Sequence, residues 1–253
     1  MTFDKKRLGL IGYPLGHSFS KAYFQNKFET ANLSKCYSYE NFPLESEEAL
    51  ALFIKTTAPQ LLGFNVTIPY KQTIIKYLDG ISADAKAIRA VNTVKKNAEG
   101  KLMGFNTDAK GFSQHLEDVL PNQSVKALIL GNGGASKAIQ YALKEKKIDF
   151  KVVGRDLKDG INFTFEELDK TILNEYLLLI NCTPLGTYPQ ADAKPNVPYQ
   201  NLTPAHILYD LVYNPTETAF LKEGVARKCK TYNGMPMLIN QAECAWRIWT
   251  GAY

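Results

Sequence analysis

The chain has 253 residues, 45% of them hydrophobic, with 30 basic and 25 acidic side chains and a formal net charge of +5. That composition excludes an intrinsically disordered chain and leaves room for one large domain or two ordinary ones. The basic residues occur as dipeptides such as Lys95-Lys96 and Lys146-Lys147 without a long cationic stripe, so nucleic acid is a poor partner and a small anionic ligand a better one.

Cys36, Cys182, Cys229 and Cys244 lie far apart with no C-x-x-C pair, which speaks against a disulfide framework or a zinc site and for reduced thiols in the cytoplasm. The apolar run near the N-terminus is broken by Gly9, Gly12 and Pro14 and lacks a cleavage site, and no later run approaches the roughly 18 apolar residues of a membrane span. No membrane association is expected.

RLGLIG (7–12) reads as a strand, and KAYFQNKFETANL as a helix with Tyr23, Phe24, Phe28 and Leu33 on one stripe. Between them HSFS offers Ser18 and Ser20, whose hydroxyls point the same way in an extended segment. Ser20 also stands where an N-cap belongs for a helix opening at Lys21. A strand at 36–39, a helix in SEEALALFIKTT, a strand at 63–68 and a helix at 71–78 continue the alternation, the pattern of βαβ units in a mostly parallel sheet. In FNVTI the period of two puts Phe64, Val66 and Ile68 on one side, with Asn65 and Thr67 on the other, facing a ligand cleft just before Lys71. VKKNAEGKLMGFN reads as a hairpin turning at 97–100.

GFNTD closes that hairpin with Asn106, Thr107 and Asp108, the last also suited to cap the following helix, AKGFSQHLEDVL, on whose surface His115 is expected. The alternation then restarts as strand VKALIL, helix SKAIQYALKEKK, strand DFKVV, helix TFEELDKTIL and strand YLLLIN, a second α/β unit with no flexible spacer before it. Five prolines between 182 and 205 mark a long loop, and NGMPMLINQAECAW reads as a C-terminal helix with Met237, Gln241 and Cys244 on one side. His17, His115 and His206 are too scattered for a metal site or a triad, so no metal is expected.

The strongest chemical signal is LILGNGGASKAIQYAL. Here a strand runs into a turn of Gly131, Gly133 and Gly134, and Ala135 opens a helix whose first N-H groups and positive dipole end suit a pyrophosphate. Ser136 occupies the sixth position of the G-x-G-x-x-G pattern, usually Gly or Ala. The next strand ends in Gly154-Arg155-Asp156, where an NAD-binding unit places an acid for the ribose hydroxyls. Arg155 suits a 2′-phosphate and hence NADP, while Asp156 opposes it and keeps NAD as the alternative.

In order and spacing, HSFS, NVTIPYK, AVNT, GFNTD, GNGGAS, NCTP, YDLVYNPTET and NGMPMLINQA resemble the shikimate dehydrogenases over nearly the whole chain. The resemblance implies a substrate domain at 1–108, completed by a C-terminal helix at 234–253, and a Rossmann nicotinamide-cofactor domain at 109–233, with a cleft between them. It implies reversible NADPH-dependent reduction of 3-dehydroshikimate to shikimate. Position by position, Ser18, Ser20 and Tyr213 match residues at the substrate carboxylate. Thr67, Asn92, Asp108 and Gln241 match those holding ring hydroxyls, and Lys71 the catalytic lysine, here read as one coupled pair with Asp108. Gly131, Gly133, Gly134, Ala135, Arg155, Thr183 and Gly234 match the cofactor contacts, Cys182 replacing the family's usual alanine in its N-A-T turn. Two alternatives stay open: a quinate/shikimate dehydrogenase using NAD, and a non-catalytic sensor of dinucleotide and cyclic acid. A monomer and a homodimer both fit.

Overall fold

Residues 5–16, 18–120, 124–157 and 160–251 are described by the computed structural model, so His17 lies outside the described residues. Two α/β units divide the chain, one of residues 1–107 with 242–253 and one of residues 108–241.

The first unit is built from β1 (Lys6–Gly12), α1 (Phe19–Thr30), β2 (Tyr37–Pro43), α2 (Glu47–Thr56), β3 (Gly63–Val66), β4 (Gly80–Ile81), α3 (Ala83–Ile88), β5 (Thr93–Lys96) and β6 (Leu102–Phe105). Its sheet runs in the order β2-β1-β3-β5-β6-β4. β1 pairs in parallel with β2 and β3, and β4 with β6, while β5 is antiparallel to both neighbours as the first arm of the predicted hairpin. α2 starts where its chemistry says it should, with the Ser46 side chain accepting from the Ala49 N-H and Glu47 and Glu48 in the positive first turn.

Both faces of this sheet are covered. Phe64, Val66 and Ile11 point into one apolar cluster with Leu50, Phe53, Leu61 and Ile74. Leu8, Leu10 and Tyr39 point into another with Phe24, Phe28, Ala245 and Trp249. Trp249 closes the second cluster: its indole N-H donates to the Val94 carbonyl at 2.9 Å, and its ring leaves no room for a side chain at Gly63, where a Cβ would sit 2.4 Å from Trp249 Nε1.

The second unit contains α4 (Asp108–Val119), β7 (Ala127–Leu130), α5 (Gly134–Glu145), β8 (Phe150–Gly154), β9 (Phe163–Thr164), α6 (Lys170–Glu175), β10 (Leu178–Asn181), β11 (Ile207–Asp210), α7 (Ala219–Ala226) and β12 (Lys230–Tyr232). The last helix, α8 (Met235–Thr250), has residues up to 241 in this unit and the rest in the first. The sheet order β9-β8-β7-β10-β11-β12 is parallel throughout, the doubly wound arrangement whose order reverses between β7 and β10.

Three local expectations are corrected. Residues 71–78 do not form an α-helix: after a turn closed by Tyr70 N-H to the Thr67 carbonyl, only a 3-10 segment, Thr73–Tyr77, follows, in keeping with its β-branched Thr73, Ile74 and Ile75. TFEELDKTIL is helical only from Lys170, because Asp169 caps the Ile172 N-H there and Phe163–Thr164 pairs as β9 instead. Ser20 is not an N-cap but the second residue of α1, with Ser18 in the cap position.

Candidate active site

In the first unit, the C-terminal ends of β1, β3 and β6 and the N-terminal end of β5 share one edge of the sheet, because Ile11 pairs with Val66, Asn65 with Thr93, and Thr93 with Phe105. Thr67, Lys71, Asn92 and Thr107 all leave strands at this edge, and Ser18 and Ser20 follow β1 there. The main chain holds it tightly: Thr67 N-H donates to Ile11 (2.9 Å), Val66 N-H to Asn92 (2.9 Å), and Val91 N-H to the Lys71 carbonyl (2.7 Å). Lys71 therefore sits in a turn anchored to the 90–92 segment, its side chain partly exposed, rather than on a helix.

A buried polar network lines the same edge. Asn92 Nδ2 donates to Thr107 Oγ1 at 2.9 Å, and the Thr107 N-H returns a bond to Asn92 Oδ1 at 2.7 Å. Asn65 Nδ2 donates to the Asn92 carbonyl and to Thr93 Oγ1, both at 3.1 Å. The Tyr39 hydroxyl donates to Asn65 Oδ1 at 2.8 Å, and Ser20 hydrogen-bonds to that hydroxyl in turn. Burial pushes the Tyr39 phenol far above its ordinary range, with the Ser20 bond opposing, so it stays a neutral donor. Asn65 is thus no cleft-facing group: it lies on the sheet face that α1 and α8 cover and is satisfied from within. Tyr39 was not singled out from sequence, because its partner sits two strands away across β1.

In the second unit, β7 runs into Gly131, whose φ of +103° is a conformation glycine adopts without penalty. A Cβ at Gly133 or Gly134 would meet no atom within 4 Å, so the space above the turn is open to a ligand. Gly133 occupies the N-cap of α5 and offers no side chain to its first-turn N-H groups, which fits a pyrophosphate there. Ala135 lies in the first turn, and Ser136 is fully buried, accepting from Gln140 Nε2 at 3.0 Å. The serine that broke the glycine pattern is therefore accommodated as a satisfied packing residue.

β10 ends beside this turn, Asn181 pairing with Leu130, and Thr183 packs on it: a Cβ at Gly131 would lie 3.0 Å from Thr183 Cγ2. Thr183 is held by Asn181, whose Oδ1 accepts from the Thr183 N-H at 3.0 Å and hydroxyl at 2.6 Å. Arg155 and Asp156 are both exposed at the end of β8, after a Gly154 whose missing Cβ makes way for Ile161. Gly234 cannot carry a side chain either, since a Cβ would lie 2.1 Å from the Leu211 carbonyl oxygen. Tyr213 is partly exposed in the loop after β11, and Gln241 is buried on α8 with Nε2 donating to the Leu238 carbonyl at 2.9 Å. Asp108 is the first residue of α4 rather than its cap, and it is buried.

His115 is corrected from a surface position. It is 8% exposed, its Nδ1 is 2.8 Å from the Tyr209 hydroxyl, and burial lowers its pKa toward the neutral form, Asp118 opposing. Among the described residues no cluster of three or more His, Cys, Asp or Glu is placed to hold a metal, and no helix is long and apolar enough to cross a membrane. The four cysteines form no disulfide.

Residues 10–94 match the shikimate dehydrogenase substrate binding domain. The chain is 38% identical to the shikimate dehydrogenase (NADP(+)) of Methanococcus maripaludis strain C7, over 99% of this chain and 93% of that protein. Its fold is similar to that of the Thermus thermophilus shikimate 5-dehydrogenase, solved in complex with NADP(H) and shikimate, with a TM-score of 0.86, 34% identity and coverage of 97% of this chain and 94% of that one. It is similar as well to quinate dehydrogenase from Corynebacterium glutamicum in complex with NAD, with a TM-score of 0.86, 28% identity and coverage of 98% and 95%. Near-complete coverage at this identity settles the classification: the chain belongs to the shikimate dehydrogenase family.

Proposed function

We propose that this chain is an NADP-dependent shikimate dehydrogenase that reversibly reduces 3-dehydroshikimate to shikimate. The observation that carries this reading is the full-length relationship, at 38% identity, to a protein named for that activity. The first unit takes the substrate: Ser18 and Ser20 engage the carboxylate, and Thr67 and Asn92 hold ring hydroxyls. Thr107 fixes the Asn92 amide from both ends, so its orientation is set before the ligand arrives. Asp108 and Gln241 contribute to the ring hydroxyls and Tyr213 to the carboxylate.

The second unit takes the cofactor, with Gly131, Gly133, Gly134 and Ala135 at the pyrophosphate, Arg155 at the 2′-phosphate, and Thr183 and Gly234 nearer the nicotinamide. When bound, the reduced nicotinamide supplies a hydride to the ketone carbon. Lys71 stabilises the negative charge that gathers on the ketone oxygen and gives it a proton, with Asp108 as its coupled partner. In the oxidative direction the same amine takes the proton back.

A second reading, oxidation of quinate with NAD, is favoured by one feature, the exposed Asp156 directly after Arg155, which opposes a phosphate dianion. Initial rates with shikimate and quinate, each with NADP+ and NAD+, separate the two. The proposal expects the shikimate and NADP+ pairing to have the highest kcat/KM; a higher value for quinate with NAD+ would replace it with the second reading.

A further inference from the structure

Among the described residues, Asp210 is the most deeply buried carboxylate not used by the chemistry above. It ends β11 with no exposure to solvent, paired in register with Asn181 at the end of β10. Its Oδ1 accepts from Asn181 Nδ2 at 2.9 Å and from the Val212 N-H at 3.0 Å, and its Oδ2 accepts from Thr218 Oγ1 at 2.5 Å. Three donors converge on one carboxylate, and each belongs to a different stretch.

Those stretches lead to the cofactor face. Asn181, also fully buried, uses its amide N-H for Asp210, which leaves Oδ1 to accept both Thr183 bonds; an amide turned the other way would lose all three. Thr183 then packs on Gly131, the first residue of the dinucleotide turn. On its other side, Asp210 sets the Val212 N-H, and the Val212 carbonyl accepts from the Gly234 N-H at 3.2 Å. Thr218 Oγ1 in turn accepts from the Leu221 N-H as the cap of α7, which seats the loop carrying Tyr213.

We propose that Asp210 is a positioning residue for the nicotinamide cofactor: through Asn181 it orients Thr183 against the dinucleotide turn, and through Val212 it seats Gly234. This rests on the reading of the second unit as the cofactor unit. On the Oδ1 side only an acceptor fits, because Asn181 Nδ2 and the Val212 N-H are both donors, whereas the Thr218 hydroxyl on the Oδ2 side is able to donate or accept. The nearly isosteric Asp210→Asn change keeps the volume and replaces the carboxylate's charge-assisted bonds to Asn181, Val212 and Thr218 with weaker neutral ones.

The test is NADPH binding, read by nicotinamide fluorescence at pH 8, with thermal melts to confirm that each variant is folded. Asp210→Asn raises the Kd about tenfold in the wild-type background, as loss of one oriented hydrogen-bond chain implies. On a Thr183→Val background the same change raises it less than about threefold, because the relay is already cut. Should Asp210→Asn fail to fold, Asn181→Ala decides in its place, with the same tenfold rise expected. A folded Asp210→Asn, or in its place Asn181→Ala, with Kd within about twofold of wild type, or effects that add fully with Thr183→Val, overturns the relay. A wild-type chain that does not bind NADPH overturns the cofactor reading along with it, and so tells the two failures apart.

Discussion

Asn92 and Thr107 are joined by two opposed hydrogen bonds, amide to hydroxyl at 2.9 Å and main-chain N-H to amide oxygen at 2.7 Å, across the ends of β5 and β6. This pairing makes a side chain taken from an ordinary turn motif into a rigid part of the proposed substrate face. Asn92→Ala leaves the Thr107 N-H and hydroxyl without that partner at a buried place, at a cost of about 1–3 kcal/mol. Urea unfolding measures the loss, and the KM for shikimate rises with it; a variant as stable as wild type and unchanged in KM contradicts the assignment.

Tyr39→Phe removes the donor to Asn65 Oδ1 while keeping the ring, which stacks on Phe24 with centroids 4.6 Å apart. A buried acceptor is left unpaired, so stability falls by about 1–2 kcal/mol. Ser20 loses its partner in the same step, and the KM for shikimate therefore rises while the KM for NADP+ does not. Equal changes in both would mean that Tyr39 acts on the fold alone.

Burial pushes Asp210 up to about 6 from its ordinary 3.8, its hydrogen bonds from Thr218, Val212 and Asn181 opposing. The raised value fixes the sign: between about pH 4 and pH 6 the folded state holds a proton that the unfolded state has released, so unfolding free energy falls as pH rises through that window and levels off above it. That rise corresponds to roughly 3 kcal/mol. Urea unfolding of wild type and Asp210→Asn across pH 4.5–8 shows the wild type losing stability relative to the variant over this range. A relative gain would mean that the three donors outweigh burial.

Arg155→Ala removes the cation at the end of β8 and weakens NADPH about tenfold while leaving NADH nearly unchanged, the size of an exposed charge-assisted contact to phosphate. Equal weakening of both cofactors would show that Arg155 does not meet the 2′-phosphate.

Much of this was legible in the chain. The alternation around VKALIL and SKAIQYALKEKK, with glycines between, specified β7, the turn and α5, because period and turn chemistry are local. Asn65 was misplaced for a non-local reason: alternation identified its face, but only the seating of α1 and α8 shows that this face is covered. His115 was misread although a signal existed, since 108, 112, 115 and 119 form one helical stripe and all four are buried. Asp210 could not be found at all, because its role depends on the register of β10 against β11. An acid at the end of ILYD says nothing of the Asn181 beside it.

In the proposed function, the turn after β3 presents Lys71 as the catalytic amine. Steady-state oxidation of shikimate with NADP+, followed by absorbance of the reduced nicotinamide in wild type and Lys71→Ala, tests it most directly. Wild type is expected to turn over, and Lys71→Ala to have a kcat about 10²–10⁴-fold lower with KM changed only a few-fold. A wild type that binds both ligands without turnover, or a Lys71→Ala enzyme with near wild-type kcat, would contradict it.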